Sequence, residues 1–183
     1  MKAESAPTKE PPRNDVVYAT RNFQRISAVL LNDITAHRHA GPFQKPVSNK
    51  DVEGYKEIIK RPQDLKSIKA AITAGSRAIA SATAKESTTD SPAGTPAKEA
   101  STLTLEKTID LISPKAIVNS GQLEKEIMRM FANAVMFNPG NDGIVQDARE
   151  MAEDIEARIR DWRNVERQPD DEEETGTAKR RKV

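Results

Sequence analysis

Cysteine is absent from the chain, so disulfides and thiolate zinc sites are excluded and a reducing compartment is compatible. Aromatic residues make up 4% and hydrophobic residues 36% of 183 positions. A packed core must therefore be concentrated in part of the chain, with room for one domain of ordinary size plus tails. No apolar run approaches the roughly 20 residues that a membrane span needs. The opening residues, MKAESAPTKEPPRND, also lack the apolar segment of a signal peptide. The expectation is a soluble intracellular chain with no membrane association. A net charge of +1 makes it no polycation, so direct DNA binding by bulk charge should be weak at most.

Catalytic and metal chemistry are equally poorly supplied. The two histidines, His37 and His39, are spaced by two and so point to different sides of a helix. They read as exposed polar residues at a helix end, not as a chelate. No histidine sits beside a serine or a carboxylate pair, and no glycine-rich phosphate loop occurs. The Glu-x-x-His pairs of a di-metal carboxylate bundle are missing. The chain reads as a non-enzyme with no cofactor.

What is present is helical periodicity. After a disordered lead-in over residues 1–15, rich in Pro, Lys and Glu, a first helix is expected from about Val16 or Arg21 to His37. Phe23, Ile26, Leu30 and Ile34 recur at three- and four-residue steps, with Val29 and Leu31 broadening the stripe. Gly41-Pro42-Phe43 ends it. An irregular stretch to Pro62 follows, with a short helical turn around Val52 to Lys60. Asp64 is a suitable N-cap for a second helix carrying Leu65, Ile68, Ala71 and Ile72, expected to end near Ala74-Gly75. Residues 76–101, rich in Ala, Ser and Thr, read as a disordered low-complexity insertion. Residues 102–118 regain apolar character; Leu103 and Leu105 alternate as in a strand, yet a turn or two of helix is also compatible, and an irregular segment packed on the bundle is expected. Asn119 or Ser120 should cap a third helix with the stripe Leu123, Ile127, Met130, Phe131 and Ala134. A fourth helix from about Asp142–Ile144 to Val165 has the cleanest period: Ile144, Ala148, Met151, Ile155, Ile159 and Trp162. The tail, 166–183, splits into an acidic run, Asp170 to Glu174, and a basic one, Lys179-Arg180-Arg181-Lys182, which is similar to a nuclear localisation signal.

Four amphipathic helices without a strand signal predict an all-α, left-handed up-down four-helix bundle, with the insertion between the second and third helices. In that order the first-to-second and third-to-fourth loops share one end, and the insertion goes to the other. Loop-closure entropy grows only logarithmically with length, so the insertion costs little there. At the loop end lies Met128 to Val145. Its first half is helical by pattern; Asn138-Pro139-Gly140-Asn141-Asp142-Gly143 cannot remain so. Asn138 thus stands where a helix opens into a turn, with an amide that has one acceptor and two donors.

This stretch resembles the core motif of bromodomains, the acetyl-lysine-binding four-helix bundles: Asn133-Ala134, two residues, the aromatic Phe137, then Asn138. A second motif is similar to their long first loop: Pro42-Phe43, Pro46-Val47, Tyr55, then Ile58-Ile59-Lys60-Arg61-Pro62 and Asp64-Leu65. The resemblance covers about Arg21 to Arg163, less the insertion, within an expected domain of 16–165, and implies that Asn138 donates to the acetyl carbonyl and that Tyr55 holds a water contacting it. Pro42, Phe43, Val47, Val52, Phe137 and Ile144 would line the slot. Departures from the family are Gly41 for a common Trp, Phe137 for a common Tyr and Gln63 for a common Met. The run from Glu126 to Asn138 looks closest to the bromodomain subunit of nucleosomal histone acetyltransferase complexes. That implies a nuclear chromatin reader with acetylated histone tails and other complex subunits as partners. The alternative is a bromodomain-fold assembly scaffold with a weak or silent pocket, favoured by Gly41.

Overall fold

The computed structural model describes residues 15–48, 50, 52–86 and 102–167. Four long helices form the body: α1 (Phe23–Ala36), α3 (Leu65–Glu86), α4 (Ser120–Phe137) and α5 (Ile144–Arg167), with a one-turn α2 (Tyr55–Ile58) in the first long loop. Each long helix packs on two others, α1 on α3 and α5, and α4 on α3 and α5, which closes an all-α up-down bundle. The predicted stripes are its interior. Leu30 and Ile34 of α1, Ile68 and Ile72 of α3, Leu123, Ile127 and Met130 of α4, and Met151, Ile155 and Ile159 of α5 belong to one core. Leu31 is buried with them, whereas Val29 is exposed and does not widen the stripe. Asn119 caps α4 as its spacing predicts: its side chain accepts the Gln122 backbone N–H at 2.8 Å.

Three expectations need correction. Val16–Thr20 is not the start of a helix but a strand, β1, and Thr102–Glu106 is a second strand, β2. They pair antiparallel from Val16 opposite Glu106 to Thr20 opposite Thr102. Alternating burial explains both: Val17, Ala19 and Leu105 turn inward onto Leu111, Ala116 and Val118, forming a second small core. The segment 102–118 is thus more regular than predicted, with a 3-10 turn at Ile109–Leu111 after β2.

The third correction concerns α3, which does not end near Gly75 but runs on to Glu86. The extra turns present Ala78, Ile79 and Ala82 to the second core, so tertiary burial holds a stretch with little apolar period of its own. Gly75 is not a helix stop but a point of close approach. A Cβ there would lie 2.5 Å from the Ile117 carbonyl oxygen and 2.9 Å from Val118 Cγ1. Alanine ordinarily favours a helix over glycine by about 1 kcal/mol. Here the clash is with backbone, which overpacking data put at about 1–3 kcal/mol. Gly75→Ala is therefore expected to destabilise the fold by up to about 2 kcal/mol net of those two effects in a denaturant melt. A raised midpoint would contradict the close approach.

The expected lead-in, most of the insertion and the charged tail, including Lys179, Arg180, Arg181 and Lys182, lie outside the described residues. Within them, no helix is long and apolar enough to cross a membrane.

Candidate functional site

The long first loop and the α4–α5 turn meet at one end of the bundle. The turn is built by Asn138, whose backbone leaves the helix at φ −93°, ψ 129°, and by Gly140 and Gly143 at φ +86° and +58°. Those last two angles favour glycine over any residue with a Cβ. The α4 helix ends on one carbonyl: Ala134 O accepts both the Asn138 backbone N–H at 3.1 Å and its side-chain Nδ2 at 2.9 Å. A carbonyl can only accept, so this bond fixes which end of the amide is nitrogen and leaves its second N–H free.

Beside Asn138 is a cavity of about 100 Å³. A water's share of liquid volume is about 30 Å³, so the space holds a few non-hydrogen atoms. All eight residues singled out in the sequence border it: Pro42, Phe43, Val47, Val52, Tyr55, Phe137, Asn138 and Ile144. Tyr55 is buried and meets Phe137 edge-on at 5.0 Å between ring centres. Phe43 meets Phe131 similarly at 5.4 Å, pinning the loop to α4. Burial first, and the charge of Asp64 second, raise the Tyr55 phenol above its ordinary pKa, so at neutral pH it keeps its proton and can both donate and accept. Among the described residues no carboxylate borders the cavity, and the one charged side chain on its wall is a cation, Lys45. A larger hollow, about 730 Å³, lies between α3 and β2, but it is an open groove with Arg77, Lys85, Glu106, Asp110 and Lys115 on its walls. It lacks the enclosed apolar surface of a small-ligand site.

Sequence reasoning missed what holds the loop wall in place. Glu126 of α4 is buried, and its carboxylate accepts from Arg61 Nη2 at 3.1 Å and Gln63 Nε2 at 2.7 Å. Gln63 itself borders the cavity, and its Oε1 accepts the Asp64 backbone N–H at 3.1 Å. Asn133 Nδ2 donates to the Arg61 carbonyl at 2.8 Å, which gives the first Asn of the Asn-Ala pattern a physical role. Asp64 caps α3 by accepting from Ser67 N at 2.9 Å and Ser67 Oγ at 2.6 Å. The available signal was Glu126 itself, a charge one position from the apolar stripe.

The histidines, too, depart from expectation. His37 and His39 are largely covered, not exposed, and tie the end of α1 to α5. His37 Nε2 lies 3.1 Å from Asp154 Oδ2; His39 reaches Asp147 at 2.9 Å and Glu150 at 3.1 Å. No group of three or more potential metal ligands occurs among the described residues. Hydrogen bonds from Gln146 and then His39 lower the Glu150 pKa, and one from His37 lowers that of Asp154. Carboxylates depressed in the folded state add stability above their unfolded values, lost as pH falls through the folded ones. The tie should therefore persist below the ordinary values of 4.5 for Glu150 and 3.8 for Asp154 and fail only in stronger acid. A carbon-13 carboxyl titration checks this. His39→Gln should raise the Glu150 midpoint part of the way, since Gln146 remains, and leave Asp154 low.

Comparison with known proteins agrees with the geometry. The bromodomain family model matches residues 27–84. The bundle is bromodomain-like. That match spans α1, the long loop and most of α3, and so takes in Tyr55 but stops before Asn138. Bromodomain adjacent to zinc finger domain protein 2B of Gallus gallus is 40% identical over 50 residues, 27% of this chain. Its Homo sapiens and Mus musculus counterparts are 33% and 32% identical over 67 and 74 residues, 37% and 40% of this chain. The chain spans only 2–3% of the length of these curated relatives.

Proposed function

We propose that the chain is a non-enzymatic acetyl-lysine reader that binds acetylated histone tails in the nucleus, as a subunit of a histone acetyltransferase complex. The observation that carries the reading is the joining of Asn138 and Tyr55, from opposite walls, at one small cavity whose described lining holds no carboxylate. Acetylation removes the lysine charge. An ammonium entering this space would lose its hydration, find no anion among the described lining residues and face Lys45, whereas a neutral acetyl amide meets a free amide N–H and an apolar wall. In this reading the second Asn138 N–H donates to the acetyl carbonyl, Tyr55 holds a water against the same oxygen, and Pro42, Phe43, Val47, Val52, Phe137 and Ile144 enclose the methyl and the stem. The resemblance of the Glu126–Asn138 run supports the complex, and Lys179–Lys182 supports the nuclear location.

The test is an NMR titration of isotope-labelled protein with acetylated and unmodified histone-tail peptides. The acetylated peptide should shift Tyr55, Phe137 and Asn138 with a Kd in roughly the micromolar-to-millimolar range, about 4–8 kcal/mol. The unmodified peptide should not shift them. One observation favours a second reading, an assembly scaffold with a silent pocket: Gly41 has open space beside it where an aromatic shelf could have extended the wall. Absence of acetyl-dependent shifts would select that reading.

A further inference from the structure

At about 100 Å³ the cavity beside Asn138 has room for an acetyl amide and the end of its stem, but not for peptide backbone. The residues on either side of an acetyl-lysine must then lie across the rim. One charged side chain stands on the described wall there, Lys45. Lys50, Glu53, Lys56 and Glu57 of the same loop, and Asp142 of the α4–α5 turn, do not border the cavity. Lys45 is exposed, and its ammonium makes no salt bridge or hydrogen bond among the described residues.

The base of this side chain is held although its tip is not. Phe43, two residues earlier, is buried edge-on against Phe131. The Gln44 side-chain amide donates to the Thr35 carbonyl at 3.4 Å. Pro46 restricts the backbone of the residue before it, which is Lys45. A four-carbon stem on a fixed base keeps the ammonium at the rim. An extended peptide turns alternate side chains to one face. Residues two before and two after an acetyl-lysine therefore point toward the protein with it, about 7 Å away along the chain, whereas its immediate neighbours point away. A carboxylate or phosphate at one of those two positions meets a cation that has no partner to give up. A lysine or arginine there meets a like charge.

We propose that Lys45 makes the pocket selective for acetyl-lysine with an anionic side chain two residues away. Such selection rests on the acetyl-lysine reading of the pocket and narrows its peptide class. A phosphoserine, with a charge of about −1.5 to −2, should gain more than a glutamate.

The test is a set of NMR titrations of the whole chain with one acetyl-lysine peptide that carries Gln, Glu or phosphoserine at the second position before or after the acetyl-lysine. At one of the two positions, Glu should lower the Kd about 1.5- to 5-fold relative to Gln at 0.1 M salt, the scale of an exposed ion pair. At 1 M salt, where the screening length falls from about 10 Å to about 3 Å, the ratio should approach one. Lys45→Gln should bring the Glu and Gln peptides to one Kd, and Lys45→Glu should reverse their order. Lys50→Gln, off the cavity, should keep the preference. A gain with phosphoserine alone assigns the anion to a modified residue; a gain with both assigns it to an encoded acid as well. Equal Kd for all three peptides, or a preference that survives Lys45→Gln, overturns the proposal and leaves the acetyl-lysine reading standing. No binding by any acetylated peptide overturns both.

Discussion

Asn138→Ala is expected to weaken acetyl-dependent binding roughly 5- to 150-fold while leaving the bundle folded. The two consequences separate because the residue makes two kinds of bond. Its backbone N–H and its Nδ2 both go to Ala134 O, at 3.1 and 2.9 Å. Alanine keeps the first, so the last carbonyl of α4 stays satisfied and the loss of fold stability is about 1 kcal/mol or less. The second Nδ2 hydrogen, aimed at the ligand in the proposed role, is lost outright. A buried acetyl carbonyl left without its donor costs about 1–3 kcal/mol, or roughly 5- to 150-fold in Kd. From a Kd near millimolar that puts binding beyond ordinary peptide concentrations; from a micromolar Kd it leaves a titration weaker by the same factor. The check is the same NMR titration together with a thermal melt. A variant that stays folded and gives acetyl-dependent shifts at Tyr55 and Phe137 with an unchanged Kd would remove Asn138 from its assigned role.

The four stripes were legible because helix burial is periodic and local: Leu30 with Ile34, and Ile155 with Ile159, announce their shared face at any distance from the rest of the fold. The pocket was legible for a different reason. Its walls come from two stretches with conspicuous backbone chemistry, the loop opened by Gly41-Pro42-Phe43 and the Asn138-Pro139-Gly140 turn, whose cavity-lining residues fall within 42–55 and 137–144. What stayed hidden depends on partners far along the chain. Val16–Thr20 is a strand only because Thr102–Glu106 pairs with it, and five residues of mixed polarity do not declare a partner that distant. Gly75 carries the usual sign of a helix end, yet it is retained inside α3 because Ile117 and Val118 pass too close for a side chain. His37 and His39 look like solvent-facing polar residues until α5 supplies Asp147, Glu150 and Asp154.

Glu126→Ala is expected to weaken the fold and the pocket together, because one buried carboxylate anchors the loop wall to α4. Its removal leaves the Gln63 amide nitrogen without its acceptor at 2.7 Å and the Arg61 guanidinium without its partner at 3.1 Å. Losing one member of a fully buried pair costs about 3–5 kcal/mol, but the Arg61 and Arg129 side chains are 44% and 26% exposed and can turn to water. Bonds to a charged acceptor at about 1.5–3 kcal/mol are the better guide, so a stability loss of about 2–3 kcal/mol is expected in a denaturant melt. Acetyl-lysine affinity should fall as well, since Gln63 borders the cavity and its released side chain would no longer hold one rotamer. Glu126→Gln retains the shape and one acceptor oxygen and should lie between the two. A general loss of stability could mimic the binding effect, so the decisive measurement is a double-mutant cycle with Gln63→Ala, read in peptide Kd under conditions where every variant is folded. Coupling of about 0.5 kcal/mol or more assigns the defect to the Gln63–Glu126 bond. Strict additivity would mean that Glu126 supports the bundle and has no part in shaping the pocket.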